Sequence, residues 1–442
     1  MSPDQIAAVA MMGLLLVMVI CGIHLAFALF FLALVFGLIF QGPMIFSLSM
    51  LKIFGTMESE ILIAVPLFVF MGTILEKSEV AEGVYQSLYE LFGPVRGGLA
   101  FATVITCTVF ASCTGVIAAT VTTMTLLAVP SMLKRKYDKG LATGVVCAGG
   151  SLGILIPPSV MLVMYGPMAN LSVAQLFAAA LFPGLLLSML YLLYIGFGAW
   201  LMPSIAPAIR EDERTAKGVK LWARAAVQMV PSLVLIIAVL GSIIAGVASP
   251  TEASGVGAFA ALLIAAAYRN LTYANVREAA YTTLIVTAMV FFIIIGASVF
   301  NAVFLFLGGG ALIKSLLMSL PLGKWFVLFV MMFVLFILGF FISWQGLLYV
   351  VVPIFLPVAA SLGFHPLWFG LLICLNLQMS FLTPPFAYAI FFVKGAAPPE
   401  VKTWDIYRGV VPFVILQALA VFLCIVFPEI ILWLPRVTLG AG

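Results

Sequence analysis

Two stretches of this chain, Gly150-Ser-Leu-Gly-Ile-Leu-Ile-Pro-Pro-Ser159 and Asn376-Leu-Gln-Met-Ser-Phe-Leu-Thr-Pro-Pro385, each place a double proline inside a long apolar run. Proline has no backbone N–H to donate, and its ring clashes with the carbonyl four residues earlier, so each pair interrupts a helix. We expect free carbonyl oxygens near residues 153–154 and 380–381. In a bilayer such groups persist only where protein, water or a ligand satisfies them. The two stretches therefore predict broken helices at binding positions.

The composition around these stretches is that of a membrane protein. Of 442 residues, 65% are hydrophobic and 8% are charged, whereas about a quarter are charged in a typical soluble domain. A spanning helix needs about 20 mostly apolar residues. We predict crossing helices at 4–22, 25–41, 60–76, 140–165, 175–201, 226–247, 254–268, 281–306, 367–392 and 409–434. The expected fold class is an all-α polytopic membrane protein in the lipid bilayer.

Two further apolar stretches, 97–132 and 325–360, are too long for one helix and carry a polar break near the middle. The breaks are Ser112-Cys113-Thr114-Gly115 in the first stretch and Ser343-Trp344-Gln345-Gly346 in the second. We interpret both stretches as re-entrant helical hairpins. Each hairpin is followed along the chain by one of the double-proline helices, so the two elements occur as a pair twice.

The positions of Lys and Arg indicate the orientation, because cytoplasmic loops of membrane proteins carry an excess of both residues. With the N-terminus outside and both hairpins entering and leaving on one side, only Lys52, Lys314, Lys324 and Arg436 fall outside. The first hairpin then opens to the cytoplasm and the second opens outward. This predicts an inner-membrane protein of bacteria with both termini in the periplasm.

A nearly constant offset relates the two halves of the chain. Gly346 follows Gly115 by 231 positions, and Pro384 follows Pro157 by 227 positions. Inverted repeats with paired broken helices are typical of secondary transporters, whose binding sites lie near the bilayer midplane. The predicted parts are N-terminal scaffold helices 1–59, a first repeat 60–202, a charged cytoplasmic linker 203–225, a second repeat 226–408 and a C-terminal membrane helix 409–442.

The polar groups at these breaks suit a small cation together with an organic anion. Carbonyl and hydroxyl oxygens bind hard cations such as Na⁺, and the N-terminal ends of half-helices attract anions. Hydroxyls come from Ser112, Thr114, Ser343, Ser380 and Thr383, without a fixed charge in the bilayer. The residues therefore favour Na⁺-coupled transport of a small organic anion, with Na⁺ as coupling ion and no cofactor.

The same residues also bear on other functions. Pro, Gly, Ser and Thr also serve as kinks and close-packing positions in membrane helices. The chain has no GxSxG or HExxH motif and no paired aspartates in its spans, so we expect no enzyme. No feature indicates nucleic-acid binding. Two alternatives stay open, an ion channel and an ion-coupled organic-anion transporter that works without a binding protein.

Two stretches outside the breaks carry local predictions. Ser249-Pro250-Thr251-Glu252 has the pattern of a helix start, with a capping hydroxyl, an early proline and an acidic residue near the positive end of the dipole. Glu252 as a coupling carboxylate is the alternative. Residues 76–93 mix Leu and Phe with Glu, Gln and Tyr and predict an amphipathic helix at the cytoplasmic interface.

Over nearly its whole length the chain resembles the large membrane subunit of tripartite ATP-independent periplasmic (TRAP) transporters. The resemblance is carried by residues 150–159, by Ser249-Pro250-Thr251-Glu252-Ala253 and by residues 376–385. It implies an elevator-type Na⁺ symporter that works with a small four-helix membrane subunit. It also implies a periplasmic substrate-binding protein that delivers a small organic acid, whether a dicarboxylate, a 2-oxo acid or another carboxylate.

The resemblance also extends the set of expected site residues. It implies Na⁺ binding by Ser112, Thr114, Gly115, Gly150, Gly153, Pro157, Ser343, Gly346, Ser380, Thr383 and Pro384. It implies substrate contacts from Ser112, Cys113, Thr114, Ser343, Trp344, Gln345, Asn376 and Gln378. No catalytic residue is expected.

Overall fold

The computed structural model of the chain describes residues 2–115, 117–208, 219–385 and 387–440. Every regular element in these ranges is helical, which confirms the all-α fold class. Eight of the described helices are long and apolar enough to cross a bilayer, and a bent pair, Met44–Met57 with Glu60–Lys77, makes a ninth. The chain is a multi-pass membrane protein.

The first half of the chain forms the first hairpin and the first broken helix. Its helices are α1 (Pro3–Ile20), α2 (Leu25–Gln41), α3 (Met44–Met57), α4 (Ala64–Lys77), α5 (Val80–Phe92), α6 (Gly98–Thr114), α7 (Ile117–Lys134), α8 (Lys139–Ser151), α9 (Val160–Ala169) and α10 (Val173–Leu201). A short 3₁₀ turn, Leu152–Ile154, extends α8. Helices α6 and α7 pack against each other as the first hairpin.

The second half repeats this arrangement. Its helices are α11 (Val219–Ile236), α12 (Ser242–Ile244), α13 (Pro250–Ala267), α14 (Tyr273–Phe306), α15 (Gly309–Met318), α16 (Gly323–Leu338), α17 (Trp344–Ser361), α18 (Pro366–Ser380), α19 (Tyr388–Ala396), α20 (Thr403–Val426) and α21 (Glu429–Leu439). Helices α16 and α17 form the second hairpin, and a π-helical turn, Ile237–Gly241, joins α11 to α12.

Two predicted crossing helices are each two helices in the structure. The predicted helix 140–165 is interrupted after the 3₁₀ turn, and α9 begins only at Val160. The predicted helix 367–392 is interrupted after Ser380 and resumes at Tyr388. The double prolines lie inside both interruptions, where the missing N–H groups end the helical hydrogen bonding. Hydropathy alone does not register such a break, because the residues on both sides stay apolar, but the double prolines predicted both breaks, which the structure confirms.

Several predicted segment boundaries do not coincide with the ends of helices in the structure. The boundary at 408/409 falls inside α20, and the predicted C-terminal helix 409–434 ends at Val426, before Pro428, with α21 following separately. The predicted boundary between the linker and the second repeat, at 225/226, falls inside α11. The helix continues across this boundary because its polar residues face outward. Most of the charged stretch of the predicted linker, residues 209–218, lies outside the described residues.

Close helix packing divides the described helices into two groups. Helix α4 packs against α13 and α14, and α14 packs against α2. In the other group α8 packs against α7 and α20, and a Cβ added at Gly409 of α20 would overlap the backbone of Gly140 in α8. Absent side chains at these two glycines let the helix axes approach closely. The first hairpin and the first broken helix therefore belong to the second group, whereas α17 of the second hairpin packs against α14.

The two local predictions outside the breaks fit the structure. Ser249 Oγ accepts a hydrogen bond from the Glu252 N–H at 3.2 Å, and a Glu252 carboxylate oxygen accepts one from the Ser249 N–H at 2.7 Å. This reciprocal capping box starts α13, so Glu252 is engaged by the helix that it begins. The predicted amphipathic helix 76–93 is α5, which starts at Val80 because Glu79 has a left-handed φ of 61°.

Candidate functional site

The first hairpin turns at Gly115, directly after the end of α6. Its φ of +60° lies in the left-handed region that favours glycine. The Gly115 N–H donates to the Ala111 carbonyl at 3.2 Å, which caps the helix. A Cβ added at Gly115 would lie 3.3 Å from the Pro158 carbonyl oxygen. The first tip therefore contacts the first double proline.

The broken stretch before this double proline lies against both helices of the first hairpin. A Cβ added at Gly150 would overlap the Val121 side chain in α7, and one added at Gly153 would lie 3.5 Å from Ala111 in α6. The predicted Na⁺ residues Gly150 and Gly153 are thus beside the hairpin, and Pro157 precedes the proline that the tip contacts.

The carbonyls near the breaks are less free than the sequence led us to expect. Ser159 Oγ donates to the Ile154 carbonyl. In the second half the Phe381 carbonyl accepts from the Ala389 N–H at 3.1 Å, and the Ser380 carbonyl accepts from the Thr383 N–H at 3.4 Å. Donors on either side of the prolines occupy these oxygens. A carbonyl oxygen has two lone pairs, so each can still contact a cation.

The polar side chains of the first tip are engaged within the protein. Ser112 Oγ donates to the Thr108 carbonyl at 2.8 Å, and the hydroxyls of Thr114 and Thr120 lie 2.9 Å apart. Cys113 Sγ lies 3.8 Å from the Ser232 carbonyl of α11, on the outer side of the hairpin. Of the predicted substrate residues of this tip, Cys113 is therefore directed to a neighbouring helix.

The second tip differs in its polar groups. Ser343 precedes α17 as its N-cap, and its buried hydroxyl has no hydrogen-bond partner among the described residues. A Cβ added at Gly346 would overlap Leu25 at the start of α2, whereas one added at Gly339 would overlap the Ser380 hydroxyl. This hairpin thus contacts the second broken helix at the end of α16 and the N-terminal helices at the start of α17.

Thr383 and Pro384 face a different space from the tips. Both residues line a cavity of about 1040 Å³ between α10, α20 and the start of α8. Thr383 Oγ1 donates to the Met379 carbonyl at 2.6 Å, which closes the last turn before the break. The two Na⁺ predictions Ser380 and Thr383 therefore lie on opposite sides of one short turn.

A smaller cavity, of about 130 Å³, lies between the two hairpin tips. The first tip contributes Gly115 and Ile117, and the second tip contributes Trp344 and Gln345. Ile154 reaches it from the first broken helix. The remaining lining comes from Ala118, Val69, Val160, Val286, Met289, Val290, Tyr388 and Phe392.

Helix ends of both signs meet around this cavity. Helices α7, α9 and α17 begin at it, and α6 and the 3₁₀ turn after α8 end beside it. The first N–H groups and the last carbonyls of a helix have no partner inside the helix. The starts carry partial positive charge and the ends carry partial negative charge. The arrangement can hold an anion and a cation side by side.

Two predicted substrate residues, Asn376 and Gln378, do not line this cavity. Asn376 Nδ2 donates to the Met332 carbonyl of α16 at 2.6 Å. Gln378 Nε2 donates to Ser151 Oγ at 3.2 Å, which joins α18 to α8, the two broken helices. Each is more than nine-tenths buried. Both residues hold helices together rather than face the tips.

The hydrogen bond between Gln378 and Ser151 joins two positions that the repeat relates to each other. These residues are 227 positions apart, the spacing that separates the two double prolines. Beside them Gln417 Nε2 donates to Tyr191 Oη at 3.0 Å across 226 positions. Sequence reasoning missed Ser151, Tyr191 and Gln417, although the offset pointed to these pairs. It also missed Tyr388 and Phe392, which are one helical turn apart on α19.

Comparison with known proteins indicates one protein family over nearly the whole chain. A family model described as "Tripartite ATP-independent periplasmic transporter, DctM component" matches residues 9–430. The C4-dicarboxylate TRAP transporter large permease protein DctM of Pseudomonas aeruginosa is 31% identical, with 90% of this chain and 91% of that protein covered. The ectoine/5-hydroxyectoine TRAP transporter large permease protein UehC of Ruegeria pomeroyi is also 31% identical, with 84% and 85% covered.

Solved structures share the fold at low sequence identity. The YdaH transporter of Alcanivorax borkumensis aligns with a TM-score of 0.63 and 15% identity, with 94% of this chain and 99% of that chain covered. The structure of MtrF from Neisseria gonorrhoeae, which represents a class of antimetabolite efflux pumps, aligns with a TM-score of 0.58 and 13% identity. The alignment covers 90% of this chain and 85% of that chain. These likenesses show a shared fold.

Proposed function

Because the chain belongs to the DctM component family of tripartite ATP-independent periplasmic transporters, we propose that it imports a small organic acid anion together with Na⁺. As a member of that family it is a transporter subunit and not an enzyme. The proposed partners are a small four-helix membrane subunit and a periplasmic binding protein that delivers the acid. Relatives named for C4-dicarboxylates and for sialic acid support an organic acid as cargo.

One observation carries this proposal, namely that both hairpin tips and the first broken helix converge on a cavity of about 130 Å³. Helix starts around it offer N–H groups to a carboxylate. Helix ends beside it offer carbonyl oxygens to Na⁺. Bound Na⁺ would neutralise the carbonyl ends at the tip and thereby favour the tip geometry that holds the acid, so binding of the two ligands would be coupled.

The ion sites follow from the same geometry. The first Na⁺ would bind between the end of α6, near Thr114, and the break at Gly153 and Ile154. The second would bind where Gly339 at the end of α16 meets Ser380. Both positions place helix-end carbonyls of a hairpin beside a broken helix. Two related ion positions are what an inverted repeat with paired breaks would supply.

Transport requires that the site face each side of the membrane in turn. The helix group that contains α8, α20 and the first hairpin would move as one body against α2, α4, α13 and α14. The two groups approach each other closely at the first tip, where a Cβ added at Gly72 of α4 would overlap the Thr114 carbonyl oxygen. This is the elevator-type movement that we propose for the chain.

The first test uses the purified complex of this chain with its small membrane subunit. We expect NaCl to raise its thermal unfolding temperature relative to KCl at equal ionic strength, because Na⁺ binds the folded state. Ser380→Ala should raise the Na⁺ concentration at half effect about tenfold, which corresponds to about 1.4 kcal/mol. Thr383→Ala, which removes a hydroxyl on the opposite side of the same turn, should behave as the unchanged protein.

In proteoliposomes supplied with the binding protein, uptake of its labelled acid should require an inward Na⁺ gradient. Uptake indifferent to Na⁺ would refute the coupling. Passive conductance of either ion without the binding protein would favour a channel. If Ser380→Ala leaves the Na⁺ dependence unchanged, that residue has no part in the ion site.

The orientation has its own prediction. Only Cys21 of the six cysteines is exposed, so a Cys21→Ser background allows single cysteines to be read by a membrane-impermeant maleimide. In intact spheroplasts Ser2→Cys and Thr438→Cys should be labelled, because both termini are periplasmic. Glu400→Cys, in the loop after α19, should be labelled only after the membrane is opened. The reverse pattern would overturn the proposed orientation.

A further inference from the structure

The cavity between the hairpin tips has one polar pole. Gln345 is 8% exposed and lines the cavity, and its side chain has no hydrogen-bond partner in the described part of the chain. The buried hydroxyl of Ser343, two residues earlier, is also without a partner there. Both residues stand at the start of α17, an 18-residue helix whose first N–H groups point toward the cavity end. A carboxylate placed here would meet N–H donors and the Gln345 amide.

The opposite pole offers no such group. Helix α7 begins there with Ile117 and Ala118, whose side chains are apolar. The nearby hydroxyls of Ser112 and Thr114 are engaged with Thr108 and Thr120. The α7 start alone would therefore have to stabilise any second carboxylate.

The walls between the poles are apolar. They are formed by aliphatic side chains of α4 and α14, by Met289 and by the rings of Trp344, Tyr388 and Phe392. No Lys, Arg or His lines the cavity among the described residues. Transfer of an unpaired carboxylate into such surroundings is strongly unfavourable, whereas an alkyl or aryl group gains about 25 cal/mol for each Å² that it removes from water.

The size of the cavity limits the acid. A volume of about 130 Å³ is close to that of an apolar cavity known to hold one benzene molecule, roughly 150 Å³. A small acid with a branched alkyl or aromatic body fits this space. A sugar acid would need the tips to separate further.

We infer that the transported acid is a small monocarboxylate with an apolar body, whose carboxylate binds at the start of α17 and whose body packs between Trp344, Tyr388 and Phe392. The inference rests on the proposed transport function and narrows its substrate class. Gln345 acts as the polar residue that distinguishes the carboxylate end from the apolar end.

The test compares two acids of matched shape, isocaproate and succinate. Both acids have a carboxylate attached to a chain of two methylene groups. The far end of this chain carries an isopropyl group in isocaproate and a second carboxylate in succinate. Equilibrium binding of each labelled acid to the purified membrane complex, without the binding protein, removes the selectivity of that protein. In saturating Na⁺ we expect isocaproate to bind at least about tenfold more tightly than succinate, a difference of about 1.4 kcal/mol.

Gln345→Leu should weaken isocaproate binding at least about tenfold by the same conversion. Gln228→Leu is the matched control, since Gln228 accepts from Tyr268 Oη and does not line the cavity. Unchanged stabilisation by Na⁺ in Gln345→Leu would show that the variant is folded. Unchanged isocaproate binding in that folded variant would overturn the role of Gln345.

The two levels of the proposal fail differently. Succinate binding that equals or exceeds isocaproate binding, with Na⁺ dependence retained, would overturn the monocarboxylate inference alone. Absence of Na⁺-dependent binding for both acids and of stabilisation by Na⁺ would overturn the proposed function with it.

Discussion

Gly409→Leu will prevent stable assembly of the helices that carry the site. A Cβ at this position would overlap the Gly140 carbonyl oxygen and lie 2.6 Å from its carbon, so α20 and α8 would have to separate. Overpacking in a well-packed core costs about 1–3 kcal/mol even where side chains can move, and here the obstacle is backbone. We expect a large loss of monodisperse protein in gel filtration and a lowered unfolding temperature.

The matched control for this change is Gly198→Leu in α10, because a Cβ added there meets nothing within 4 Å. That variant should purify and unfold like the unchanged protein. Equal behaviour of the two leucine variants would contradict the close packing of α8 on α20. A smaller loss for Gly409→Ala than for Gly409→Leu would show that added volume, rather than helix propensity, is responsible.

Gly72→Ala will slow transport and leave the protein folded. The added methyl group would overlap the Thr114 carbonyl oxygen at the first tip and lie 2.8 Å from its Cα. The tip and α4 belong to the two groups of helices that we propose to move against each other, so the change would displace the tip carbonyls from their ion geometry. We expect uptake at least about tenfold slower, which corresponds to about 1.4 kcal/mol in the barrier.

Gly255→Ala in α13 serves as the control, since its added Cβ also meets nothing within 4 Å. Both variants should elute as intact complexes. The Na⁺ concentration needed for half-maximal stabilisation should rise only for Gly72→Ala. Normal uptake by Gly72→Ala would show that the tip tolerates displacement at this contact, and the ion site would then have to lie elsewhere.

The local devices of the fold could be read from the sequence because each depends on neighbouring residues. The capping box at Ser249 and Glu252 needs only four consecutive positions. The first hairpin turn coincides with Gly115, whose left-handed conformation a glycine permits. The interruptions at the double prolines follow from a missing donor. Where the helices stop around these prolines depends on longer-range packing, and the predicted spans 140–165 and 367–392 did not specify those ends.

Side-chain direction within the site was harder to predict. Asn376 and Gln378 lie two residues apart on α18, so they point about 200° apart around the helix axis. One contacts the Met332 carbonyl of the second hairpin, and the other contacts Ser151. Proximity to a double proline therefore did not decide whether a polar residue faces the cavity. Tyr388 and Phe392 escaped notice because their roles depend on how α19 packs against the first hairpin.

The hydrogen bond between Ser151 and Gln378 bears on how such a chain could arise. In a symmetric dimer of half-length subunits, a residue on the two-fold axis meets its own copy, so one amino acid must be complementary to itself. Here the two positions related by the repeat carry a hydroxyl and an amide, a pair in which one side chain donates to the other. Fusion of the halves into one gene would free each position to change without its twin, and the asymmetric pair at the centre is a product that a homodimer could not encode.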